Sequence, residues 1–150
     1  MAEAKQEPVI VIIEDETATL QVLDLFLGIK GFKPVPAQTG GAGLKAIAEK
    51  KPNAVILDLM LPDIDGYEVC RQLRASKETA SLPIIMLSAR VHRDDVKRGY
   101  AAGATRYLKK PVDLDMLAAE VRRVVEMAQH EAPPAEFQDK DATGPATGGK

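Results

Sequence analysis

The chain has 150 residues, a formal net charge of −2, and 45% hydrophobic and 28% charged side chains. That balance suits one globular domain with a core and excludes a global basic field for nucleic acid or an anionic membrane surface. One cysteine, Cys70, excludes an internal disulfide and fits a reducing, cytoplasmic setting.

Residues 1–8, MAEAKQEP, read as a short leader without the apolar segment of a signal peptide. Val9–Ile13 is an unbroken β-branched run, the signature of a strand buried on both faces. It runs straight into Glu14, Asp15 and Glu16. Thr17–Lys30 reads as an apolar helix, with Thr17 as N-cap and Gly31 as stop. Leu20, Leu23 and Leu27 face a core, and Val22, Leu25 and Ile29 leave a second apolar side, either packed or a docking surface. Phe32–Ala37 is the next strand. Gly43–Lys50 is a helix that leads to Pro52, and Ala54–Asp58 is a strand. Gly66–Ser76 is a helix with Val69, Cys70 and Leu73 on one side, and Pro83–Ser88 is the fourth strand. The helix Arg93–Ala102 is weak, with Gly99 inside it and Val96 and Tyr100 as its few anchors. Thr105–Lys109 is the fifth strand. A last helix starts from Asp113 as cap and repeats apolar residues from Leu114 to Ala128. We read 9–128 as the domain and 129–150 as a flexible tail too poor in apolar residues to build a core.

Strand and helix alternate, which implies right-handed crossovers and an α/β, doubly wound five-stranded parallel sheet. Pro34 and Pro36 suit the second strand to an edge. The order 2-1-3-4-5 places it there.

In such sheets ligands bind beyond the carboxyl ends of the strands. Those ends supply Glu14 and Asp15, then Asp58, then Ser88, then Lys110. Carboxylates gathered this closely repel unless a cation joins them. Oxygen donors without His or Cys favour Mg²⁺, which takes one or two carboxylates together with a phosphate. The chemistry this permits is phosphoryl transfer to a carboxylate, with Asp58 as nucleophile and Asp15 as Mg²⁺ ligand, aided by Glu14 through water. Lys110 and the Ser88 hydroxyl would meet the phosphoryl oxygens.

Other motifs read as decoys. Gly41–Ala46 fits a dinucleotide fingerprint but follows the edge strand. GPATGGK, 144–150, lacks the Ser/Thr that ends a P-loop. His92 and His130 have no partner pattern for a metal.

The segments IIEDE (12–16), VILDLMLPDIDGYEV (55–69), PIIMLSAR (83–90), GA (103–104) and YLKKP (107–111) together resemble bacterial response-regulator receiver domains. The resemblance covers about residues 9–128, of flavodoxin-like, chemotaxis-type receiver fold. It implies that Asp58 is the phosphoacceptor and that the metal shell is Asp15, Asp58, the Met60 backbone carbonyl and Glu14 through water. It also implies Lys110 as the lysine before a cis Pro111, and Ser88 and Tyr107 as the switch pair. Met60 and Arg90 would flank the phosphoryl group. The donor would be a histidine kinase or histidine phosphotransfer protein. The output would be a protein target meeting the fourth helix, fifth strand and fifth helix, with no direct nucleic-acid or membrane contact. Arg106 stands where an acidic residue is common in relatives that dimerise through that face. The alternatives are a pseudo-receiver independent of phosphorylation and, as an enzyme, a Mg²⁺-dependent phosphotransferase. Met60 stands where such an enzyme would carry its second acid or base.

Overall fold

The computed structural model describes residues 6–130, so residues 1–5 of the leader and 131–150 of the tail, GPATGGK included, lie outside the described residues. The elements are β1 (Val9–Ile13), α1 (Thr17–Ile29), β2 (Lys33–Ala37), α2 (Gly40–Lys50), β3 (Ala54–Asp58) and α3 (Gly66–Ala75). After a 3₁₀ turn at Lys77–Thr79 come β4 (Ile84–Ser88), α4 (Arg93–Ala102), β5 (Arg106–Lys109) and α5 (Leu114–His130). All strand pairs are parallel, in the order β2-β1-β3-β4-β5.

The edge position of β2 follows from its prolines. Pro34 and Pro36 have the same parity, so both missing N–H groups fall on the open side of the strand. Lys33, of the other parity, donates inward to the Pro8 carbonyl at 2.8 Å.

Alternate residues of the central strands feed two cores. Ile10, Ile12, Ile56, Ile85 and Leu87 pack with Leu20, Leu23 and Leu27 of α1 and Leu117, Val121 and Val124 of α5. Val11, Ile13, Val55, Leu57, Ile84 and Met86 pack on the other face with Ile47, Val69, Cys70 and Leu73. Each such side chain, fully buried, contributes about 1.5–3 kcal/mol. The cores therefore hold the sheet, and its rims are left to chemistry.

Helices α1 and α3 each close one residue before the sequence expectation, at Ile29 and Ala75, and three other helix ends differ for a visible reason. The cap of α1 is Glu16, not Thr17, because the Leu20 amide bonds the Glu16 carbonyl at 3.0 Å. Helix α2 starts at Gly40, where Thr39 accepts from the Ala42 amide at 3.0 Å. The fifth helix continues to His130, past the edge expected at 128, since no breaker precedes Pro133. Asp113 does cap α5, accepting from the Met116 amide at 3.0 Å. On α4, Tyr100 is 47% exposed and anchors nothing, leaving Gly99 and Ala102 as the buried residues of that helix.

Candidate functional site

The register sets Ile13 beside Leu57, Asp58 beside Leu87, and Ser88 beside Lys109. The residues ending or following β1, β3, β4 and β5 therefore emerge together at the carboxyl rim. Gly66 lets α3 start directly against it: a β-carbon there would lie 2.6 Å from Leu59 Cα and 2.8 Å from the Asp58 carbonyl oxygen.

Glu14, Asp58 and Ser88 are buried at 2%, 5% and 1% exposure, while Asp15 is exposed. One carboxylate oxygen from each of Glu14, Asp15 and Asp58 lies within 4.8 Å of the others. Lys110 Nζ donates to Glu14 Oε1 at 2.8 Å and stands 3.3 Å from Asp58 Oδ2. The Met60 amide donates to Asp58 Oδ1 at 3.1 Å. The Lys110–Pro111 bond is cis, and the Lys110 amide donates to the Ser88 carbonyl at 2.9 Å.

The electrostatics are unbalanced. Burial raises the Glu14 carboxyl above its ordinary value, and the neighbouring Asp58 charge adds to the rise against the pull of Lys110 and the Glu16 amide. Burial alone would lower Lys110, but the bond to Glu14 and the Asp58 charge carry it upward, so it stays an ammonium. Three carboxylates face one ammonium. The oxygen-only donor set and its negative excess fit a hard divalent cation with open positions for water and phosphate.

Beside this cluster a second set of bonds leads away from Ser88. Its Oγ accepts from the Arg90 amide at 3.0 Å, and the Arg90 carbonyl accepts from the Tyr107 hydroxyl at 2.6 Å. The Arg90 backbone thus joins Ser88 to Tyr107, while its side chain is exposed. Gly99 has a role beyond loosening α4. A β-carbon there would lie 2.6 Å from Tyr107 Cδ2 and 3.0 Å from Met86 Sδ, so glycine admits the Tyr107 ring.

Two residues of this region gave no sequence signal. The Tyr67 hydroxyl, from the first turn of α3, donates to the Asp95 carbonyl at 3.1 Å and Arg98 stacks on its ring at 4.1 Å. Burial, then the adjacent Tyr107 hydroxyl, pushes Tyr67 up to about 12. Asp63 reads as a loop residue, yet its two oxygens accept from the Gly40 and Gly41 amides, each at 2.8 Å. That carboxylate occupies the glycine-rich helix start that mimics a nucleotide fingerprint. His92, at the N-cap position of α4, is exposed, and Cys70 is a buried free thiol whose pKa burial raises.

Residues 10–122 match the family model of the response regulator receiver domain. The chain belongs to that family. The receiver is 41% identical over 125 residues to the transcriptional regulatory protein AfsQ1 of Streptomyces coelicolor, covering 83% of this chain and 54% of that one. It is 33% identical over 140 residues to the DNA-binding dual master transcriptional regulator RpaA of a Synechocystis strain, covering 93% and 58%. It therefore spans little more than half the length of these relatives. Among solved structures, a response regulator from Chloroflexus aurantiacus superposes with a TM-score of 0.76 at 32% identity, over 80% of this chain and 98% of that one. The BeF3-activated DrrB receiver domain superposes with a TM-score of 0.72 at 29% identity, over 80% and 98%. Among the described residues of the receiver, no helix is long and apolar enough to cross a membrane.

Proposed function

We propose that this receiver is a cytoplasmic switch of two-component signalling that accepts a phosphoryl group on Asp58 from a phosphohistidine. The observation that carries the reading is the half-buried ammonium of Lys110, held between the buried carboxylates of Glu14 and Asp58 at the rim. Asp15, Asp58 and the Met60 carbonyl would hold Mg²⁺, with Glu14 reaching it through water. When bound, the ion neutralises phosphoryl oxygens during in-line transfer. An Asp58 oxygen forms the new bond to phosphorus, and the phosphorus–nitrogen bond of the donor breaks, its electron pair returning to the imidazole. Lys110 then exchanges its contact with Asp58 for a phosphoryl oxygen, and the Ser88 hydroxyl donates to another.

Ser88 links this event to the surface. As Ser88 Oγ turns to the phosphoryl group, the Arg90 amide loses its acceptor, and the Arg90–Tyr107 bond is placed under new constraint. Tyr107 packs against Gly99 of α4, so a change there alters the α4–β5–α5 face. That face meets the downstream protein. The outer side of α1, with Val22, Leu25 and Ile29 at 50%, 69% and 72% exposure, suits the helical donor of a histidine kinase or phosphotransfer protein. This is a switch and not an enzyme acting on other substrates, because Met60 offers no second acid or base beside Asp58. The complete acidic set argues against a module indifferent to phosphate.

Intact-mass spectrometry after incubation with a small phosphodonor tests this. The expected result is one Mg²⁺-dependent phosphoryl addition to the wild type and none to Asp58→Asn. A wild type that takes up no phosphoryl group under any condition would overturn the reading.

A further inference from the structure

The Asp63 clamp lies outside the phosphoryl chemistry, yet it holds the loop from which that chemistry takes one ligand. Asp63 sits at the far side of the β3–α3 loop, and both of its oxygens are taken by the Gly40 and Gly41 amides at 2.8 Å. These amides open α2, where free backbone N–H groups and the helix dipole favour a carboxylate. They pull the Asp63 pKa below the usual carboxylate range, the Gly41 bond foremost. The fit is close on the apolar side as well. A β-carbon on Gly40 would lie 2.0 Å from Ile64 Cγ2, so glycine alone lets the loop seat against the helix.

Between Asp63 and Met60 stand only Leu61 and Pro62. Proline fixes its own φ and restricts the residue before it to extended backbone, so this link is short and stiff. The other end of the loop is tied separately, through the Met60 amide to Asp58 Oδ1 at 3.1 Å and the Gly66 amide to the Leu59 carbonyl at 3.1 Å. Asp15, Met60, Asp63 and Arg90 line the same open cavity of about 490 Å³. Without the Asp63 anchor, Met60 would be fixed on one side only.

We infer that Asp63 is a positioning residue: by clamping the loop to the start of α2 it sets the Met60 carbonyl for the cation site. The inference rests on the reading of the rim as a Mg²⁺-dependent phosphoryl site. Lost positioning partners of metal ligands commonly cost tenfold or more in metal affinity.

The test is Mg²⁺ titration of the full chain by calorimetry, with the Met60 and Leu61 amide resonances followed in parallel. Asp63→Ala is expected to weaken Mg²⁺ binding by roughly tenfold, with Asp63→Asn, which keeps one acceptor oxygen, in between. Asp15→Ala, which removes a ligand, should abolish binding. Arg74→Ala, at the opposite end of the sheet, should lower stability without changing Mg²⁺ affinity. Wild-type affinity in Asp63→Ala overturns the inference and leaves the phosphoryl site standing. Equal weakening in Arg74→Ala overturns it too, since general loosening would then explain both. A wild type that binds no Mg²⁺ removes the inference together with the reading it rests on. If thermal unfolding shows Asp63→Ala to be unfolded, Asp63→Asn decides by the same criterion.

Discussion

Lys110 stands between Glu14 and Asp58 at the carboxyl rim of the sheet, whereas at the opposite end Arg74 is held by two backbone carbonyls, Gly103 O at 2.9 Å and Thr79 O at 3.0 Å. Both cations are partly buried. The carbonyls around Arg74 are fixed by the fold and carry no net charge, so that arrangement is complete in itself. It ties the end of α3 to the turn before β4 and to the α4–β5 connection. At the rim, three carboxylates gather where one ammonium pairs with two of them, and burial has already raised Glu14. The difference separates a cation whose neutral partners complete it from one that leaves a negative excess around it, the excess on which the proposed phosphoryl site rests.

The sharpest way to break this comparison is to remove each charge in turn. Arg74→Ala takes the side-chain donor from the Gly103 carbonyl and leaves the Thr79 carbonyl with the Leu82 amide alone, and should destabilise the receiver by about 1–3 kcal/mol, read by denaturant unfolding. Asp58→Asn should do the reverse. It removes a like charge beside Glu14 while Lys110 keeps its bond to Glu14, so without Mg²⁺ the variant should gain stability. Added Mg²⁺ should then raise the melting temperature of the wild type and leave Asp58→Asn nearly unchanged. Equal losses in both variants would mean that the two ends of the sheet do not differ as described.

Smaller effects sharpen the picture around the switch. Gly99→Ala should gain about 1 kcal/mol of helix propensity and lose a similar amount to the contact with the Tyr107 ring. Stability should therefore hardly move while the Tyr107 ring resonances shift. A full gain with Tyr107 undisturbed would contradict the close packing. A further effect is confined to alkaline pH. Tyr67 ionises at about 12 in the folded chain, against a usual tyrosine value of roughly 10 when unfolded. Its contribution is therefore complete below the unfolded value and is lost as pH rises toward the folded one. Tyr67→Phe should lack that decline, read by denaturant unfolding across the same pH range.

The residues least marked in the sequence are those whose partners lie far along the chain. Asp63 and Gly40 are 23 positions apart and Tyr67 and Asp95 are 28 apart, with no local pattern marking either pair. The start of α2 is hidden for the same reason: its glycines resemble a loop until a distant carboxylate and a close-packed Ile64 account for them. Gly99 reads locally as a flaw in α4, and only the ring packed against it gives it a purpose.

By itself the sequence determined the strands, their order and the identity of the rim. Apolar runs of strand length need burial on both faces, paired prolines need an edge, and polar residues after each run must emerge at the strand ends. The tertiary structure alone decided which of these polar groups are buried, how Lys110 is divided between Glu14 and Asp58, and how the Arg90 backbone connects Ser88 with Tyr107. Burial and hydrogen-bond geometry depend on distances between segments remote in the chain, and periodicity within one segment carries no information about them.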